Sequence, residues 1–124
     1  MAGGPSTPAL TAAVSKASGY GSIAAGFRPA ELLRKAIALT RSLTGAQFGV
    51  NLFVPSVPAD ADEVSADAAA RKPEAERLGV ALDDAHWEDN AYDDKLAVVE
   101  STRVHVVSFT FDARPPTSRA AAPG

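Results

Sequence analysis

An α/β fold built from repeated βα units is what this 124-residue sequence predicts. Three observations carry the prediction. Helix-periodic and strand-like segments alternate along the chain. No hairpin signal joins any two of the strand-like segments. The segment Gln47 to Val54 is also nearly continuous in apolar residues, as expected of a parallel strand covered on both faces. Parallel strands that follow one another in sequence need helical crossovers. Alternation alone is compatible with an open doubly wound sheet and with part of a closed barrel.

Thr7-Pro8 opens the first helix, because Thr7 can cap free amides and Pro8 suits the first helical position. Leu10, Val14 and Ala17 follow at helical spacing, with Gly19 as the residue that ends the helix. Tyr20 to Gly26 reads as a short buried strand of small residues. Pro29 opens the second helix, and Leu32, Leu33, Ala36, Ile37, Thr40 and Leu43 line one face of it. Gly45 ends it. Gln47 to Val54 is the next strand, stopped by Pro55. After a proline-bearing loop, Asp60 or Asp62 starts an alanine-rich helix that runs to about Leu78, with a kink expected at Pro73. Asp89 or Asn90 caps the next helix, whose buried side carries Tyr92, Leu96 and Val99. Val104 to Phe111, rich in β-branched and aromatic residues, is the third strand. Asp112 to Gly124, with Pro115-Pro116, reads as an irregular tail.

Composition removes several function classes. Apolar residues make up 46% and charged residues 22% of the chain, as in ordinary globular proteins. The net charge is −3, and the twelve basic side chains are scattered, so nothing marks a nucleic-acid or anionic-membrane partner. Cysteine is absent, which excludes disulfides, zinc–thiolate sites and cysteine nucleophiles. The start lacks the basic and apolar regions of a signal peptide, and no apolar run reaches membrane-spanning length, so a cytoplasmic location is expected.

Few motifs carry chemistry unaided. Gly19-Tyr-Gly21-Ser-Ile-Ala24 spells a dinucleotide fingerprint, but it follows a helix and opens a strand, the reverse of the required context. Met1-Ala2-Gly3-Gly4 precedes a capped helix, where a strand-to-helix loop would meet a ligand; an ordinary terminus is the competing reading. Asn51 is an amide inside an apolar run, so it either pairs with backbone or faces a ligand. Ser108 raises the same question, with local backbone bonding favoured. His86 lies in an acidic loop. His105 lies near the start of the third strand, the stability end in a barrel, and a triad of Ser101, His105 and a carboxylate lacks any supporting elbow. No histidine pair has metal-ligand spacing, so no metal site is expected.

Six segments in one order resemble the nitronate monooxygenases, formerly called 2-nitropropane dioxygenases. They are MAGGPSTP (1–8), LTAAVS (10–15), GSIAAG (21–26), FGVNLFVP (48–55), PEAERLGV (73–80) and VVSFTF (106–111). The resemblance implies an FMN-dependent (β/α)8 TIM barrel, an oxidoreductase that oxidises alkyl nitronates with O2 to a carbonyl compound and nitrite. The flavin supplies the difficult chemistry in such enzymes. By position, Met1, Ala2 and Gly3 match the first-strand loop against the flavin, and Asn51 matches the asparagine whose amide contacts FMN.

Departures from the family pattern set further expectations. Relatives carry a strand before Met-Ala-Gly-Gly, and the family histidine for proton chemistry lies in a later Gly-Gly-His segment. Neither that segment nor the glycine-rich loops for the FMN phosphate occur in this sequence, and a whole barrel needs about 250 residues. The expectation is therefore a partial barrel of about three parallel strands with their helices, lacking the first strand and the C-terminal half. Residues 1–111 would form the barrel part and 112–124 a tail. Such a piece should bind FMN weakly or not at all, turn over no nitronate alone, and self-associate through exposed sheet edges. The alternatives are a non-catalytic remnant active only in association, and a related FMN-dependent enoyl reductase.

Overall fold

In a computed structural model of the chain, residues 4–112 are described. They comprise α1 (Pro8–Lys16), β1 (Gly21–Ala24), α2 (Ala30–Leu43), β2 (Phe48–Phe53), α3 (Ala61–Leu78), α4 (Tyr92–Thr102) and β3 (Val106–Thr110). The chain divides into two units. One holds residues 4–55 and 89–112, and the other holds 56–88.

In the first unit the strands form one parallel sheet in the order β1-β2-β3. Ala24 pairs with Asn51, and Asn51 with Ser108. Partners in register point to the same face, and alternation sends their sequence neighbours to the other. One face therefore carries Ile23, Phe48, Val50, Leu52, Val107 and Phe109. These pack with Leu33, Ala36 and Ile37 of α2 and Val98 and Val99 of α4 into one core. Ile23, Leu33, Val50 and Leu52 are fully buried. Each such side chain contributes roughly 1.5–3 kcal/mol of transfer free energy.

Helix α1 starts as its sequence dictates. Thr7 Oγ1 accepts from the Leu10 amide at 3.1 Å, and Pro8 follows the cap. Its buried face differs from the expected Leu10–Val14 stripe: Thr11, Ala12 and Ser15 are buried, while Leu10 and Val14 are 49% and 38% exposed. The cause is close approach of the helix to β1. A Cβ on Gly21 would lie 2.1 Å from the Thr11 carbonyl oxygen, and the Gly21 amide donates to Ser15 Oγ at 3.1 Å. Only small side chains fit there. Ser18, not Gly19, takes the left-handed conformation after the helix (φ 64°). Gly19 comes next and closes the end by donating to the Val14 carbonyl at 3.0 Å.

Helix α2 buries Leu33, Ala36, Ile37 and Thr40 as expected, but Leu32 and Leu43 remain 50% and 38% exposed. It ends at an extended Thr44, one residue before Gly45. The expected Asp89 or Asn90 side-chain cap of α4 is replaced by Ala91 in a left-handed conformation with no side-chain cap bond. Asp89 Oδ1 accepts from the Ala91 amide at 2.9 Å, and Asn90 Oδ1 accepts from Lys95 Nζ at 2.8 Å. Both side chains are thus committed one step before the helix begins. Tyr92 and Leu96 pack against the core from this helix, with Val99 buried beside the unanticipated Lys95 and Val98.

In the second unit Asp60 caps α3, accepting from the Asp62 amide at 2.8 Å. The helix continues through Pro73 and stops at Gly79, whose φ of 68° suits glycine. Of its residues only Ala75 is buried, among those described.

Candidate functional site

The sheet face turned away from α2 and α4 carries the polar groups. Gly49, Asn51 and Phe53 alternate along it on β2, opposite Val106, Ser108 and Thr110 of β3. Asn51 Nδ2 donates to Ser108 Oγ and to Thr110 Oγ1, each at 3.0 Å, with the Ser108 carbonyl oxygen at 3.4 Å. Thr110 Oγ1 approaches Asn51 Oδ1 only to 3.4 Å. The amide is therefore held through side chains across the strand pair. Ser108 likewise uses its hydroxyl on Asn51, in place of the local backbone bonding favoured from sequence.

Above this network, at the C-terminal ends of the strands, three phenylalanines meet. The Phe53 ring lies edge-on to Phe27 (5.5 Å between centroids) and to Phe111 (4.9 Å). Phe27 and Phe111 have φ of 58° and 80°, a region that bulky residues rarely occupy. Both are largely exposed, at 76% and 78%. Strand ends of this kind form the ligand-facing rim of (β/α)8 barrels. A Cβ on Gly26 would meet the Phe53 ring at 2.3 Å, so the glycine makes room for the cluster. Sequence reading missed this group; its signal was one aromatic at or just past the end of each strand.

The other singled-out residues lie elsewhere. His105 stands just before β3, at the opposite end from the phenylalanines, with its ring 6.3 Å from Phe48. His86 belongs to the second unit and is exposed, with Nε2 3.5 Å from Glu88 Oε1. That unit holds a cavity of about 350 Å³ bordered by Val64 and Trp87, whose Nε1 donates to the Ser56 carbonyl at 3.0 Å. Gly19 and Gly21 follow α1 and open β1, so the fingerprint letters are structural. Met1, Ala2 and Gly3 lie outside the described residues. Among the described residues no group of three or more His, Cys, Asp or Glu could hold a metal ion, and no helix is long and apolar enough to cross a membrane.

Two titratable groups beside the core are perturbed. Burial pushes the Lys95 amine below its ordinary value, opposed by the nearby Asp89 charge. Burial raises the Tyr92 phenol, reinforced by Asp93 and Asp112.

A sequence model of the nitronate monooxygenase family matches residues 1–122. This chain belongs to that family. As a nitronate monooxygenase family member, an oxidoreductase by kinship, it is similar to a solved nitroalkane oxidase from Streptomyces ansochromogenes. That likeness has a TM-score of 0.76 and 42% identity, and covers 88% of this chain and 31% of the other. FabK from Thermotoga maritima is similar at a TM-score of 0.58 and 30% identity, over 88% of this chain and 24% of its own. A probable nitronate monooxygenase of Staphylococcus aureus (strain JH9) is 47% identical over 53 residues, 43% of this chain and 15% of the relative. The family member described here thus spans less than a third of these proteins. Its three parallel strands and helices correspond to part of a TIM barrel.

Proposed function

We propose that this chain supplies part of the FMN-facing wall of a (β/α)8 barrel that oxidises alkyl nitronates with O2 to a carbonyl compound and nitrite. One observation carries the reading. Asn51, which the family resemblance pairs with FMN, lies on the sheet face opposite α2 and α4, one row below the rim where Phe27, Phe53 and Phe111 meet. The donor set suits a flat, polar-edged ring. Asn51 offers an amide, and the small side chains of Ala24 and Ser108 flank it in the same row. FMN would supply the redox step when bound.

The residues of this chain have narrower roles. Asn51 holds an edge of the ring, and the phenylalanines keep water from the rim. Met1, Ala2 and Gly3 are assigned to the flavin on the resemblance alone. The reading carries a cytoplasmic location with it.

Three strands do not enclose a ring, so flavin retention and turnover require further strands. The 124-residue polypeptide should bind FMN weakly, purify colourless and form no nitrite from propionate-3-nitronate. Substituted for the matching segment of the Streptomyces nitroalkane oxidase, it should restore oxygen consumption with nitronate. A folded chimera without turnover would sink the proposal. A second reading, association without catalysis, draws on the half-exposed Leu10, Leu32 and Leu39. It predicts a self-associating chain and an inactive chimera.

A further inference from the structure

We propose that Ser108 and Thr110 are positioning residues that turn the Asn51 amide so that its oxygen, not its nitrogen, meets the ligand. The inference rests on the reading of Asn51 as a flavin contact.

A primary amide has two N–H donors and one carbonyl acceptor. Here the two donors have two good acceptors, Ser108 Oγ and Thr110 Oγ1, each 3.0 Å from Nδ2. Hydroxyls can donate as well as accept, so these two contacts alone would tolerate a flipped amide. The Ser108 carbonyl oxygen, 3.4 Å from Nδ2, is too far for a third good bond but can only accept, so a flipped amide would set two acceptor oxygens against each other and the orientation with nitrogen towards β3 is favoured. Oδ1 then has a single long approach from Thr110 Oγ1 at 3.4 Å, beyond the usual O–H···O range. Its acceptor capacity is left for a ligand. The group it selects is an N–H donor, such as the ring N–H of an isoalloxazine.

The register makes this arrangement specific. Asn51 and Ser108 are direct partners, and Thr110 lies two residues further on the same face. A one-residue slip of β3 would turn both hydroxyls away.

The chain contains three side-chain carboxamides, Gln47, Asn51 and Asn90, so their NH2 resonances are separable by nitrogen-15 NMR. The 124-residue chain is titrated with FMN to millimolar concentration, alongside Thr110→Val, Ser108→Ala and Thr110→Ser. We expect the Asn51 NH2 pair to exchange slowly with water and to lose that protection in Thr110→Val and Ser108→Ala. FMN affinity should fall about fivefold in each, the weight of one hydrogen bond. Thr110→Ser, which keeps the hydroxyl, should retain both. An Asn51 pair indifferent to Thr110→Val and Ser108→Ala would overturn the clamp. Lost protection with unchanged FMN affinity would overturn the positioning role and leave the flavin reading standing. Unchanged flavin content of the Streptomyces chimera on Asn51→Ala would overturn that reading and this proposal together.

Discussion

Lys95 is buried to 2% exposure, and its ammonium donates to one neutral oxygen, that of Asn90. Its folded-state value is depressed, so between that value and the ordinary 10.5 the unfolded chain binds more protons than the folded one. Stability attributable to Lys95 therefore rises with pH through that window. Tyr92 works in the opposite sense. Its raised value means that above the ordinary 10.0 the unfolded phenol ionises first, and stability falls. Lys95→Met should remove the rise and leave the fall, as read by denaturant unfolding at a series of alkaline pH values. An unchanged profile would show that the amine is hydrated in solution. Asn51 illustrates what a single residue conceals. Sequence flagged it as an amide in an apolar run, but its partners stand 57 and 59 positions away and become visible only with the strand register.

At the level of elements, β2 was legible from its nearly continuous apolar run and β3 from its β-branched and aromatic residues. Helix α2 was legible by its period, with Leu33, Ala36, Ile37 and Thr40 buried as read. Helix α1 was not. Hydrophobicity pointed to Leu10 and Val14, whereas close approach to Gly21 favours the small Thr11, Ala12 and Ser15. That contact predicts a large effect from a small change. Gly21→Ala should destabilise by about 1–3 kcal/mol, because the Thr11 carbonyl belongs to the backbone and cannot swing aside. Thr7→Ala should cost about 1 kcal/mol through loss of the α1 cap. Chemical denaturation of both variants orders them, and a milder Gly21→Ala than Thr7→Ala would contradict the packing account. The left-handed start of α4 had no sequence signal, since Ala91 is a residue type that rarely adopts it.

For the whole molecule, the core joins β1, β2, α2 and α4, and its removal should be felt everywhere in the first unit. Ile37→Ala is expected to cost about 2–5 kcal/mol, enough to unfold a marginal domain, read as loss of the helical circular dichroism signal at 25 °C. Among the described residues no strand pairs with the outer edges of β1 or β3, and unpaired edges favour association. The unsubstituted chain should accordingly melt over a broad range and sediment as a mixture of species. A sharp transition in a monomer would contradict this. A flavin barrel built from this chain needs the face of its sheet opposite α2 and α4 to hold the flavin. The flavin absorbance per protein of the Streptomyces chimera, with Asn51 intact and as Asn51→Ala, measures it directly. The account predicts a yellow chimera with near-stoichiometric FMN and a marked loss in Asn51→Ala. Equal flavin content in the two proteins would contradict it.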